Sequence, residues 1–142
     1  MQKNFIFSDT ETTGLREKDF IQIIQSASIL TDESFERIDA QNIESRPLPW
    51  VVPQPGAYLV HKKISSLDSN TSHYQMMKDI YETWQKWSDD KQSIFITYNG
   101  HQFDEELYRR QFYWNLLPPY ITNTNGNGRS DLYFLIILVS YL

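Results

Sequence analysis

The chain contains no cysteine. A disulfide framework, a thiolate zinc centre and a cysteine nucleophile are therefore excluded, although the absence says little about compartment. Positive charge is also scarce: thirteen Lys and Arg stand against eighteen Asp and Glu, a formal net charge of -5. The balance argues against a protein that gathers phosphates by bulk cationic field, while a local nucleic-acid site stays open. No apolar run approaches the roughly 20 residues of a membrane span. The most apolar stretch, Leu132–Leu142, is about half that and reads as a core helix. It ends without a cap, a glycine or a polar closing segment, as expected of a C-terminally truncated domain, so apolar surface around Leu135–Leu142 is expected to be bare. The stretch around Phe5-Ile6-Phe7 is too short and too soon interrupted by charge for a secretory signal, and a cytoplasmic protein with no membrane contact is expected. What is present suffices for a core: 142 residues, 40% apolar and 15% aromatic, give one folded domain.

Apolar periodicity outlines the elements. Phe5–Phe7 reads as a short buried strand running into a polar turn, Ser8–Gly14, whose acids sit at the strand end. Gln22–Leu30 and Phe35–Ile43 read as an antiparallel pair extending it. Four prolines between Pro47 and Gly56 argue for a surface loop, followed by a short helix over Ala57–His61 and a turn capped by Ser65 or Ser66. Tyr74, Met77, Tyr81, Trp84 and Trp87 form one stripe of a helix from Ser72 to about Asp89-Asp90. Ser93–Tyr98 reads as a buried strand, Asn99-Gly100 as a turn, and Phe103–Leu117 as a helix stopped by Pro118-Pro119. A polar loop, Asn123–Gly128, precedes the last helix. Three strands, a helix, a strand and further helices make an α/β domain with a mixed sheet.

Asp9 and Glu11 are two apart on an extended segment, so their carboxylates share one face and repel unless a cation neutralises them. Oxygen donors alone favour Mg²⁺ or Mn²⁺ over zinc. An isolated Asp-x-Glu more often caps a turn than binds metal. Asp104, at the start of the helix after the next buried strand, completes a cluster if the two strands are neighbours. On its own it reads as a helix N-terminal acid, with Glu105 and Glu106.

The text around these acids is more specific. Asp9-Thr10-Glu11-Thr12-Thr13-Gly14 resembles the first motif of the DEDD superfamily of 3′→5′ exonucleases, and Tyr98-Asn99-Gly100-His101-Gln102-Phe103-Asp104 resembles its second. Pro53–Ala57, Phe103–Asn115 and Arg129-Ser130-Asp131-Leu132 are similar to bacterial exonuclease I in particular. The resemblance implies a ribonuclease-H-like mixed sheet flanked by helices, C-terminally truncated, with residues 1–142 as an incomplete exonuclease domain. It implies two Mg²⁺ ions, with Mn²⁺ as an alternative, held by four acids beside a histidine base. Such a pair stabilises the attacking and leaving oxygens and activates water. Asp9, Glu11 and Asp104 match three of the catalytic, metal-binding acids, and Glu11 would also touch the terminal nucleotide. The last motif, a His with an Asp five residues on, has no match: His61 and His73 lie in the middle segment, His101 stands in the second motif where the family does not place its base, and all three read first as surface or turn residues. The chain is expected to be inactive or weak alone.

The implied substrate is single-stranded DNA, the implied partner a single-strand-binding protein, and the expected state a monomer. Base stacking contributes about 1–3 kcal/mol per base, and Thr12, Phe103, Arg109, Tyr113, Tyr120 and Arg129 are the strand-binding candidates beside Glu11. Core packing, and pairing of Arg109 and Arg110 with Glu105 and Glu106, are the competing readings. Two alternatives stay open: a catalytically dead module binding single strands or a protein, and a DEDD enzyme acting on RNA or in proofreading.

Overall fold

A computed structural model describes residues 3–15, 20–89 and 92–140. Strand β1 (Asn4–Thr12) pairs antiparallel with β2 (Ile23–Thr31), and β2 antiparallel with β3 (Arg37–Glu44). On the other side of β1, β4 (Ser93–Thr97) runs parallel to it, and β5 (Gly128–Asp131) parallel to β4. The mixed sheet thus has the order β3-β2-β1-β4-β5. Parallel neighbours need crossovers. Helix α2 (His73–Ser88) precedes β4, and α3 (Asp104–Trp114) lies between β4 and β5. Helix α1 (Pro55–His61) lies before α2, and α4 (Leu132–Ser140) follows β5. The expected α/β class is observed.

The core lies between one face of the sheet and helices α2 and α3. Ile6, Ile23, Leu30 and Phe95 meet Met76, Met77, Ile80 and Trp84 from α2, and Leu107, Tyr108 and Phe112 from α3. Three polar anchors tie this layer. The Trp84 indole donates to Ser28 Oγ at 3.0 Å, the Trp87 indole to Asp39 at 3.0 Å, and the Tyr108 hydroxyl meets Ser26 Oγ at 2.6 Å. Burying indole and phenol with their polar ends satisfied keeps the hydrophobic gain without an orphaned donor. Buried Gln111 accepts from the Ile23 amide at 3.0 Å and so pins the start of β2 to α3.

Several boundaries differ from the sequence reading. Strand β1 does not give way to a turn at Ser8 but continues to Thr12, because Ser8–Glu11 pair with Gln25–Ser28 of β2. The register shifts between Glu11 and Thr12, a bulge beside the second acid. Pro55 and Gly56 belong to α1, with the proline in its first turn, where a missing N–H is harmless. Ser65 and Ser66 lie inside a 3₁₀ turn, Ile64–Asp68, rather than capping it. Ser72 does cap α2, its Oγ accepting from the Gln75 amide at 3.1 Å. Tyr74, however, is 52% exposed. The buried stripe runs instead through His73, Met76, Met77, Ile80, Trp84 and Trp87. Asp90 lies outside the described residues, as do Tyr141 and Leu142.

Helix α3 stops at Trp114, before Pro118, because Leu116 turns into the left-handed region at φ 58°. Strand β5 was hidden in the polar segment before Leu132 and is held by its parallel pairing with β4. Helix α4 is not a core helix: none of its described residues is buried. Its apolar residues, including Ile136 and Val139, are exposed, as the bare-surface expectation has it.

Candidate functional site

The alternation of β1 puts Ile6 on the core side and Phe7, Asp9 and Glu11 on the opposite side. Asp9 is exposed beside an open groove of about 200 Å³ whose walls include Phe7, Ile29, Ile96, Tyr98 and Leu132. Glu11 is half-buried next to the bulge. Because β4 is the parallel neighbour of β1, the turn after β4 and the first residue of α3 come to the end of β1 that carries the acids. There Asp104 Oδ1 accepts a hydrogen bond from Thr10 Oγ1.

Gly100 makes room for this approach. A Cβ at that position would stand 2.7 Å from Asp104 Oδ2 and 2.8 Å from Thr97 Cβ. The Asp104 carboxyl is pushed up to about 6, chiefly by burial, with the charges of Asp9 and Asp131 adding and the Thr10 hydrogen bond opposing. Asp9 and Asp104 therefore share one electrostatic neighbourhood. Among the described residues, no three acids or histidines are gathered tightly enough to hold an ion. The chemistry of the donor set nevertheless fits a hard divalent cation: the donors are oxygens, and a positive charge would relieve a carboxyl that its surroundings disfavour as an anion.

The segment Thr12–Leu15 is fastened from the proline-rich loop. The Gln54 backbone N–H donates to the Thr13 carbonyl at 2.7 Å, and its side-chain Oε1 accepts from Leu15 N–H at 3.1 Å. His61 holds the Thr12 carbonyl through Nε2 at 3.1 Å, while its Nδ1 accepts from Lys63 N–H at 2.9 Å. Since Nδ1 accepts a proton donor, Nε2 is the nitrogen that carries the hydrogen. The Thr12 hydroxyl donates to the Gly14 carbonyl at 2.8 Å, so this strand-binding candidate is engaged within its own turn.

The other candidates divide into two groups. Phe103 precedes α3 and packs partly against the core. Tyr113 is 69% exposed and Tyr120 is also exposed. Arg109 lies over the Tyr120 ring at 5.8 Å and pairs with Glu106 at 2.6 Å, and Arg110 meets the same Glu106 at 2.8 Å. That pairing holds the Glu106 carboxyl below the usual carboxylate range. Glu105 pairs with Arg129 of β5 rather than with an arginine of its own helix, and it also lies 3.2 Å from His101 Nδ1. His73 is buried with neither ring nitrogen hydrogen-bonded, and burial pushes it down to about 4.

Neither Thr10 nor Asp131 stands out as a site residue in the sequence alone. Thr10 was hidden because a threonine between two acids reads as strand filler. Asp131 was hidden because β5 itself was not recognised.

No family model matches the chain. It is 31% identical over 137 residues to exodeoxyribonuclease I of Buchnera aphidicola subsp. Acyrthosiphon pisum, a match covering 94% of this chain and 32% of that protein. Among solved structures, Escherichia coli exonuclease I in complex with a dT13 oligonucleotide superposes with a TM-score of 0.84 and 26% identity, over 99% of this chain and 30% of that one. A complex of ExoI with SSB-Ct gives a TM-score of 0.85 and 26% identity, over 99% and 30%. The chain thus spans about a third of the length of the proteins it matches. In sequence and in fold this chain is a relative of bacterial exodeoxyribonuclease I, sharing its ribonuclease-H-like architecture over that third.

Proposed function

We propose that the chain carries the metal-binding acids of a 3′→5′ exonuclease acting on single-stranded DNA, with residues 1–142 as the front part of the exonuclease domain. One observation supports this above the rest: Asp9 and Glu11 share a face of β1, and the parallel β1–β4 pairing brings Asp104 to the same strand ends. Asp9, Glu11 and Asp104 would hold Mg²⁺, or Mn²⁺ in its place. The cation would supply an activated water and neutralise charge on the phosphodiester. Tyr113 and Tyr120 offer exposed stacking faces, and Arg109 is positioned by Glu106 and Tyr120 near them.

None of the three histidines in the chain has an Asp five residues later. Slow turnover by the chain alone is the consequence. The strand partner and a single-strand-binding protein follow the relatives' complexes, and a cytoplasmic setting suits both. No helix among the described residues is long and apolar enough to cross a membrane.

A second reading, an inert single-strand-binding module, is favoured by the absence of a closed three-ligand cluster among the described residues. The two separate in one experiment with excess protein, Mg²⁺ and matched DNA and RNA strands labelled at either end. Slow shortening of DNA from the 3′ end supports the exonuclease. Strand binding with no shortening supports the inert module, and preferential loss of RNA moves the enzyme to the RNA-directed class.

A further inference from the structure

Asp131 ends β5, directly beside Thr97 at the end of β4. Its carboxylate is buried and accepts three backbone N–H groups. Oδ1 takes Asn99 N–H at 2.7 Å and Tyr133 N–H at 3.0 Å, and Oδ2 takes His101 N–H at 3.0 Å. Only the Tyr133 contact belongs to its own neighbourhood, as an ordinary cap on α4. The other two reach across to the turn that leads into α3.

The turn is tight. Asn99 sits in the left-handed region at φ 53°, which asparagine adopts more readily than other non-glycine residues, and its N–H is taken by Asp131. The Gly100 carbonyl then accepts the N–H groups of Phe103 at 3.1 Å and Glu105 at 3.0 Å, the residues on either side of Asp104. The missing Gly100 side chain is the space into which Asp104 Oδ2 fits. A continuous path of hydrogen bonds and one close packing contact thus runs from Asp131 through the 99–101 turn to the third acid.

We propose that Asp131 is a positioning residue for Asp104: its carboxylate fixes the backbone of the Asn99–His101 turn, and that turn sets where Asp104 stands relative to β1. The inference rests on the metal-site reading above. An anion here serves better than a neutral group, since hydrogen bonds from backbone N–H to a carboxylate are charge-assisted. Although β5 is only four residues long, its parallel pairing with β4 delivers Asp131 to the mouth of the turn.

The test is Mn²⁺ binding to the full 142-residue chain, followed by the free-ion electron paramagnetic resonance signal, in a double-mutant cycle. Asp131→Asn keeps an oxygen for the α4 cap and removes the second acceptor from His101. It is expected to weaken Mn²⁺ binding roughly tenfold, the scale of supporting contacts to metal ligands. In an Asp104→Ala background, where Asp9 and Glu11 still hold a weaker ion, the same substitution is expected to change nothing further. A general loss of structure would instead act equally in both backgrounds.

Unchanged affinity in Asp131→Asn, or an equal loss in both backgrounds, overturns the positioning role and leaves the metal site standing. Wild-type Mn²⁺ binding that is absent, or that survives Asp9→Ala unchanged, overturns the metal site and this role together. If Asp131→Asn does not fold, Asp131→Ser, which caps α4 but is too short to bridge to His101, carries the same readout.

Discussion

Thr10 and Asp104, 94 positions apart, are joined by a hydrogen bond from the threonine hydroxyl to the carboxylate. This contact ties the acid-bearing strand to the first turn of α3. The contact favours the carboxylate, yet burial outweighs it, and the fold resists the ionisation of Asp104. With its pKa raised from 3.8 to about 6, the folded state binds a proton that the unfolded state has released between those values. Stability therefore falls as pH rises through that window, and the full penalty is present above it.

Asp104→Asn should accordingly stabilise the metal-free chain at pH 7, by up to about 3 kcal/mol, the free energy that a rise from 3.8 to about 6 represents. The substitution keeps an oxygen for Thr10. Thermal melts at pH 7 and pH 4 check this. The gain should shrink towards the acid end, and a gain independent of pH would contradict the assignment of the shift to Asp104.

Mg²⁺ should raise the melting temperature more at pH 7.5 than at pH 5, since protons compete with the cation for the same raised carboxyl. Asp9→Ala should remove most of the increment. An equal increment at both pH values would mean that the ion binds elsewhere.

Gly100→Ala places a methyl group against Asp104 Oδ2 and Thr97 Cβ. The expected cost is about 1–3 kcal/mol of stability, as for other overpacked sites. Urea titration measures it. A midpoint equal to that of the wild type would show that the turn has room that the structure does not provide.

Trp84 is 1% exposed and touches Phe95, Tyr108 and Phe112. Truncation to Ala should cost about 3–5 kcal/mol, enough to unfold a marginal domain, whereas Trp84→Phe should lose less and chiefly the indole bond to Ser28. Equal losses would place the stabilisation in that hydrogen bond rather than in packing.

The exposed apolar residues of α4 should bind hydrophobic dye and promote association. Replacing Ile136 and Val139, which are 57% and 68% exposed, by lysine should lower dye fluorescence without lowering the melting temperature. A loss of stability would mean that these side chains are packed in solution.

The strong periodic signals were legible: the α2 helix, the β2–β3 pair and the strand carrying Phe5–Phe7. Each contains enough apolar residues at one spacing to declare its period. Element edges set by pairing were not. Ser8–Glu11 look like turn residues, and only their partners on β2 make them strand. Arg129-Ser130-Asp131 has no apolar face at all, and its strand exists because β4 offers a parallel edge. The acids were visible as residue types, and Asp104 was placed by the strand-then-helix order. The contacts that position them, from Thr10 and Asp131, are tertiary and leave no local spacing to detect. Leu132–Ser140 misled for the opposite reason: composition says core, while burial depends on what lies against it.

The most direct measurement is the rate at which excess protein shortens a single-stranded DNA of defined length in Mg²⁺, compared among wild type, Asp9→Ala and Glu11→Ala. The expected result is slow shortening from the 3′ end that EDTA stops and that both substitutions abolish while the melting temperature holds. Shortening that persists in Asp9→Ala, or that needs no divalent cation, would contradict it.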